Sequence, residues 1–151
     1  MIKRFLICVF LMLSCLSLAQ SKEVLEKHLA NTLSYQHIKY NTGGKKSQIS
    51  IYQIEFANCT MSYPIYIKKG DKTERFTVRI LLSGTNDIVM TKTKEGYYAI
   101  TFTTNRKSII KEYPDGALIH EKKQIIPLKK HDAKALEYFK KLKEICAKKS
   151  T

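Results

Sequence analysis

Carboxylates are scarce in this 151-residue chain: 13 Asp and Glu stand against 27 Lys and Arg, a formal net charge of +14. Glycine and proline are few as well, at 6 and 3 residues, and no heptad pattern is sustained. Those shortages exclude collagen, mucin-like stalks and coiled coils. What remains is ordinary for a folded globular chain, with 44% hydrophobic and 26% charged residues, so intrinsic disorder is not expected. The length suits one domain and is too short for two comfortable ones.

Catalytic signatures are also missing. No Gly-x-Ser-x-Gly elbow occurs. The histidines and cysteines show no Cys-x-x-Cys or His-x-x-x-His spacing, the spacings that set two ligands on one side of an ion. Asn41 to Ser47 superficially resembles a phosphate-binding loop, because Gly44-Lys45 is followed shortly by Ser47. The motif needs glycine five residues earlier, where Lys39 stands, and Ser or Thr where Lys46 stands. The segment therefore reads as a flexible linker. No catalytic, cofactor-binding or metal-ligating residue is assigned, and a non-enzymatic protein is expected.

The longest apolar run is Phe5 to Leu16, 12 residues broken only by Ser14. It follows the cationic start Lys3-Arg4 and precedes Ser17-Leu18-Ala19, which puts small residues at −3 and −1 of a cut before Gln20. This is the three-part secretory signal, and its apolar core is too short for a permanent membrane anchor. Residues 1–19 are thus read as a signal peptide and the mature protein as periplasmic or secreted. Met12-Leu13-Ser14-Cys15 offers an alternative, a lipoprotein anchored through Cys15, although Met and Leu suit that cut poorly. Cleavage removes Lys3 and Arg4 but no acid, so the mature charge falls by two. It also removes Cys8 and Cys15 and leaves Cys59 and Cys146. Two cysteines in an exported chain predict one disulfide between them.

Along the mature chain, Val24, Leu25, His28, Leu29, Thr32 and Leu33 recur at helical spacing, predicting an amphipathic helix from Lys22 to Ser34 with Ser21 as its cap. With the following loop it fills residues 20–47. From residue 48 to 151 the chain reads as an antiparallel sheet plus a C-terminal helix, in one domain with 20–47. The period changes to two at residue 48. Extended stretches are expected at 48–56, 59–68, 75–82, 88–92, 98–102, 108–113 and 118–128. Cys59 is expected on the apolar face of the second, with Met61 and Tyr63. Pro64 cannot donate to a ladder, so that strand should have a free side there. Asp132 then caps a last helix whose apolar stripe is Ala135, Leu136, Phe139, Leu142, Ile145 and Cys146. Glu137–Lys141 and Glu144–Lys148 stand at i,i+4 on it, with Lys148 and Lys149 at its end.

The expected fold class is therefore α+β: an N-terminal helix, about seven antiparallel strands in a curled sheet or partial barrel, and a C-terminal capping helix. Over residues 48–149 this element order resembles the pleckstrin-homology-like fold, which has seven strands and one capping helix. The added N-terminal helix departs from that pattern, and no binding residue carries over. The Leu18-Ala19/Gln20 cut, the Phe56-Ala57-Asn58-Cys59 segment and the late Cys146 also resemble small exported bacterial proteins of uncharacterised function.

The one global signal is the basic surface. Lys68, Lys69 and Lys72 crowd one turn, Lys122 and Lys123 lie on a strand, and Lys129 and Lys130 precede the last helix. These seven are the candidate anion-binding residues, since such a field reaches about 8–10 Å at physiological salt. All the basic residues except Arg4, Arg75, Arg79 and Arg106 are lysines. Sequence-specific nucleic-acid sites lean on the bidentate fork of Arg, so that class of partner is not expected. The expectation is an exported scaffold or binding module, its partner an anionic envelope component or another exported protein. The alternatives are a basic envelope-associated protein on anionic lipid or polysaccharide and, more remotely, a small exported hydrolase.

Overall fold

The computed structural model describes residues 22–148. The signal segment, the cut before Gln20, Cys15, the Ser21 cap and Lys149 lie outside the described residues. Helix α1, residues 22–33, buries Leu25, Leu29 and Leu33, a single i,i+4 stripe. Val24, expected on that stripe, is 64% exposed, because it stands one residue before Leu25, about 100° round the helix from the buried line. His28 is half-buried and packs edge-on against Tyr138, with ring centroids 4.8 Å apart.

Ten strands follow among the described residues: β1 (Gln36–Thr42), β2 (Lys45–Ile51), β3 (Glu55–Ala57), β4 (Thr60–Lys69), β5 (Lys72–Leu81), β6 (Asp87–Lys92), β7 (Tyr98–Thr103), β8 (Ile109–Glu112), β9 (Leu118–Glu121) and β10 (Lys123–Leu128). All pair antiparallel. One sheet runs β1-β2-β4-β5-β8-β9 with β3 beside β4; the other runs β10-β7-β6. Helix α2 (Ala133–Lys148) closes the chain. The class is α+β, and the sheets do not close into a barrel.

The three strands beyond the expected seven each have a physical cause. Residues 36–47, read as loop after the helix with 41–47 as a linker, fall in the β1–β2 hairpin. Gly43 and Gly44 take φ of 56° and 76°, the two successive positive values that a tight two-residue hairpin turn requires. The stretch 48–56 breaks into β2 and β3 at residues 52–54. Ile51 pairs with Ile65 and Glu55 with Ser62, so three residues lie opposite Tyr63 and Pro64. The Tyr52 amide donates to the Pro64 carbonyl at 3.2 Å. The nitrogen of Pro64, which has no hydrogen to give, faces the same side, and the ladder bulges there. The stretch 118–128 divides at Lys122, where the chain passes from the larger sheet (β9) to the smaller (β10). The Thr104 amide meets the Lys122 carbonyl at 2.9 Å.

The buried side chains form one cluster that joins α1, both sheets and α2. Met61, Tyr63 and Ile65 of β4 alternate inward with Val78 and Ile80 of β5, all at 2% exposure or less. Phe139 of α2 meets Phe102 of β7 edge to face at 5.0 Å. The Asp132 carboxylate accepts from the Ala135 amide at 3.0 Å, so the expected cap is in place. Glu137 and Lys141 pair at 2.7 Å.

Cys59 and Cys146 are joined, with Cα atoms 5.7 Å apart, inside the range that a disulfide spans without backbone movement. Their setting differs from the expectation in one respect. Cys59 is not a strand residue. It occupies the β3–β4 turn with Asn58, both at positive φ, 61° and 48°. The turn lays the Cys59 sulfur against α2, while the Cys59 carbonyl accepts from the Leu82 amide at 3.0 Å. The bridge suits an oxidising, exported location. No helix among the described residues is long and apolar enough to cross a membrane.

Candidate functional site

Two hairpin tips stand side by side at one end of the larger sheet. The β1–β2 tip is Gly43-Gly44; the β4–β5 tip is Gly70-Asp71, with Lys69 paired to Lys72. Register places them together: Ser47 pairs with Tyr40 on one side and Lys69 on the other, and the Gly70 amide donates to the Lys46 carbonyl at 3.3 Å. Between them lies a groove of about 950 Å³. Lys39, Lys45, Lys46, Lys68, Lys69 and Lys72 line it, all exposed at the rim. Asp71 is the sole carboxylate residue in its wall.

Tyr40 forms part of the groove wall and is half-buried. Its ring packs against Tyr97 at 5.5 Å. Burial raises the Tyr40 pKa; a hydrogen bond with Ser47 opposes that, and the Glu95 charge adds to it. The Tyr97 pKa rises for the same leading reason, with Glu95 and Tyr40 contributing. Both hydroxyls therefore stay neutral at physiological pH and add no negative charge to the groove.

Of the seven lysines singled out from sequence, Lys68, Lys69 and Lys72 converge here. Lys122 and Lys123 do not. Ile80 pairs with Ile109 and Ile109 with Glu121, so Lys122 sits at the Thr60–Leu81 end of the sheet. That is about 30 Å from the tips, at 3.3 Å per residue along β4. Lys129 and Lys130 follow Leu128, whose partner Tyr98 adjoins Tyr97, and they lie toward the groove's end of the molecule. Lys45 and Lys46 were absent from the sequence-based set because their segment read as a linker, and Lys39 because it stood in the unassigned stretch before it. The available signal was two glycines between alternating runs, Ile38-Tyr40 before and Ser47-Ile49-Ile51 after.

The histidines are dispersed. His37 packs against Tyr52 at 5.9 Å and His131 against Tyr98 at 5.4 Å, while His120 lies exposed on β9. Among the described residues, no three His, Cys, Asp or Glu side chains gather as a metal site. In comparisons with protein-family models, curated proteins and solved structures, this chain has no match.

Proposed function

We propose that this protein is an exported, non-enzymatic binding module whose lysine groove takes an anionic ligand of the cell envelope. The observation that supports this most is the convergence of six lysines from two hairpins on one concave site with a single carboxylate residue in its wall. A cleft lined by one sign of charge between low-dielectric walls focuses the field and draws in counter-charges. Lysine ammonium groups act as mobile point charges, suited to spaced carboxylates or phosphates rather than to one rigid planar group. Cleavage before Gln20 would release the module into the periplasm or medium; lipidation of Cys15 would tether it to the envelope. The PH-like element order agrees with a binding role but assigns no ligand.

Binding of polyphosphate, measured by calorimetry at two salt concentrations, tests the reading. Replacing Lys68, Lys69 and Lys72 together by Gln should weaken binding about tenfold or more at low salt and flatten its salt dependence, since three counterion-releasing contacts are lost. The Lys122→Gln/Lys123→Gln protein should bind within about twofold of the wild type, each contact there acting alone in high dielectric. Equal losses in the two variants would overturn the groove as the site and leave only a diffuse cationic surface.

A further inference from the structure

Beside the groove, on the outer face of the larger sheet, lies a cluster of tyrosines. Tyr35 is 60% exposed and Tyr52 is 37% exposed. Tyr52 is the hub. Its ring meets Tyr35 at 6.5 Å, Tyr66 at 5.0 Å and His37 at 5.9 Å, edge-on with interplanar angles of 81°, 67° and 83°. Tyr35 is also held at φ 59°, in the left-handed region where a bulky side chain is disfavoured. Its amide donates to the Tyr52 carbonyl at 3.3 Å, which ties the two residues together. An aromatic ring that is kept in water at a backbone cost gains little stability for the fold. A left-handed residue just past a helix such as α1 is the usual C-cap, a place glycine ordinarily takes, so it is the tyrosine side chain rather than the conformation that calls for a role.

Two shallow hollows flank this cluster. One, of about 400 Å³, runs past Tyr35, Tyr52, Gln53 and Glu55. The other, of about 380 Å³, runs past Tyr66, Arg75 and Glu112. Pro64 and Thr77 border both, so they form one trough. The pairing register ties the trough to the lysine groove. One row across the sheet is His37, Ser50, Tyr66 and Arg75; the next is Lys39, Gln48, Lys68 and Thr73. Successive residues on one face are about 7 Å apart. Rings and lysines therefore make a continuous strip.

We propose that this strip binds an acidic glycan in which neutral sugars alternate with charged ones. The proposal rests on the lysine groove being an anion site and names the ligand's chemical class. The apolar C–H face of a pyranose ring matches the negative face of a tyrosine ring. Its hydroxyls meet planar hydrogen-bonding groups at Gln53, Arg75 and Glu112, and the acid groups of the same strand reach Lys39 and Lys68. Single-stranded nucleic acid also combines stacking with charge. The Glu55 carboxylate in the trough disfavours it: it repels a backbone charged at every residue and accepts hydrogen bonds from sugar hydroxyls, whereas Glu112 is already paired with Arg79.

The test compares three probes of similar length: hyaluronan octasaccharide, polyphosphate and oligothymidylate. The variants are Tyr35→Gly, Tyr52→Ala and the Lys68/Lys69/Lys72→Gln protein. Glycine takes the left-handed conformation freely, so Tyr35→Gly removes the ring without unfolding the turn. Each tyrosine variant should bind the octasaccharide about threefold to tenfold more weakly, the loss of one ring contact. Each should hold polyphosphate unchanged within about twofold, because that chain carries charge and no sugar face. The lysine variant should lose both. Unchanged octasaccharide binding by the tyrosine variants, or an equal loss on polyphosphate, would overturn the glycan proposal while leaving the groove reading intact. Tighter binding of oligothymidylate, lost in the tyrosine variants, would overturn it in favour of a nucleic acid. A lysine variant that keeps both ligands would overturn the groove reading and the proposal with it.

Discussion

Replacing both bridged cysteines, as Cys59→Ser/Cys146→Ser, should strongly destabilise the fold without changing it. The bridge spans 87 residues of sequence. In the chain-entropy account a closed loop of that length restrains the unfolded chain by about 4.6 kcal/mol. Domains are stable by only about 5–15 kcal/mol, so the bridge supplies a large share. At this size each kcal/mol shifts Tm by roughly 3–5 °C, giving an expected fall of roughly 14–23 °C. Both cysteines must be changed together, because either single variant leaves a free thiol packed at 8% or 1% exposure. A second variant separates the bridge from the turn it sits in. Cys59 lies at φ 61°, where any residue with a Cβ is strained. Cys59→Gly/Cys146→Ser should therefore be more stable than the double serine protein by about 1 kcal/mol. Thermal unfolding followed by circular dichroism, with and without reductant, measures all three proteins. A double serine protein within about 3 °C of the oxidised wild type would refute the argument, and so would a glycine variant less stable than the serine one.

Three further outcomes follow from the packing. A Cβ on Gly84 would stand 2.0 Å from the Ser108 Oγ and 2.7 Å from its Cβ, so Gly84→Ala should cost about 1–3 kcal/mol in urea unfolding. Adding Ser108→Gly should restore much of that loss; independent, additive losses would show the clash is not the cause. The buried Tyr63 hydroxyl donates to the Ile125 carbonyl at 3.4 Å, and burial drives its pKa well above the ordinary 10.0. A pKa raised on folding stabilises fully below the unfolded value and is lost as pH climbs beyond it. Tyr63→Phe should lose about 1 kcal/mol at neutral pH yet show a shallower fall in Tm above about pH 10, and parallel alkaline curves would refute this. Asp132→Ala should remove about 1 kcal/mol through the lost helix cap, seen as a lower urea midpoint.

The cysteine pairing and the last helix could be read from residue order because each rests on a local rule. Only two cysteines lie beyond the expected signal segment, and an i,i+3/i,i+4 stripe ends in one of them. The turn position of Cys59 was harder to see, since Cys59, Met61 and Tyr63 alternate like one strand. The cue was Asn58, a residue that tolerates positive φ and starts a tight hairpin. Breaks at residues 52–54 and at Lys122 come from tertiary demands, a bulge opposite Pro64 and a passage between sheets, to which a period of two is blind. Half of the lysine groove was hidden for a related reason. Lys39, Lys45 and Lys46 become neighbours of Lys68 and Lys69 only through the pairing of β2 with β4, a contact between distant residues that no local pattern encodes.

The central claim is that anion binding is confined to the hairpin-tip end of the larger sheet. Amide chemical shifts of the oxidised mature protein, followed while polyphosphate is added at physiological salt, test it most directly. The account predicts saturable shifts concentrated in residues 39–48 and 66–73, with 118–124 unmoved. Shifts that scatter over every lysine-bearing surface, or that centre on Lys122 and Lys123, would contradict it.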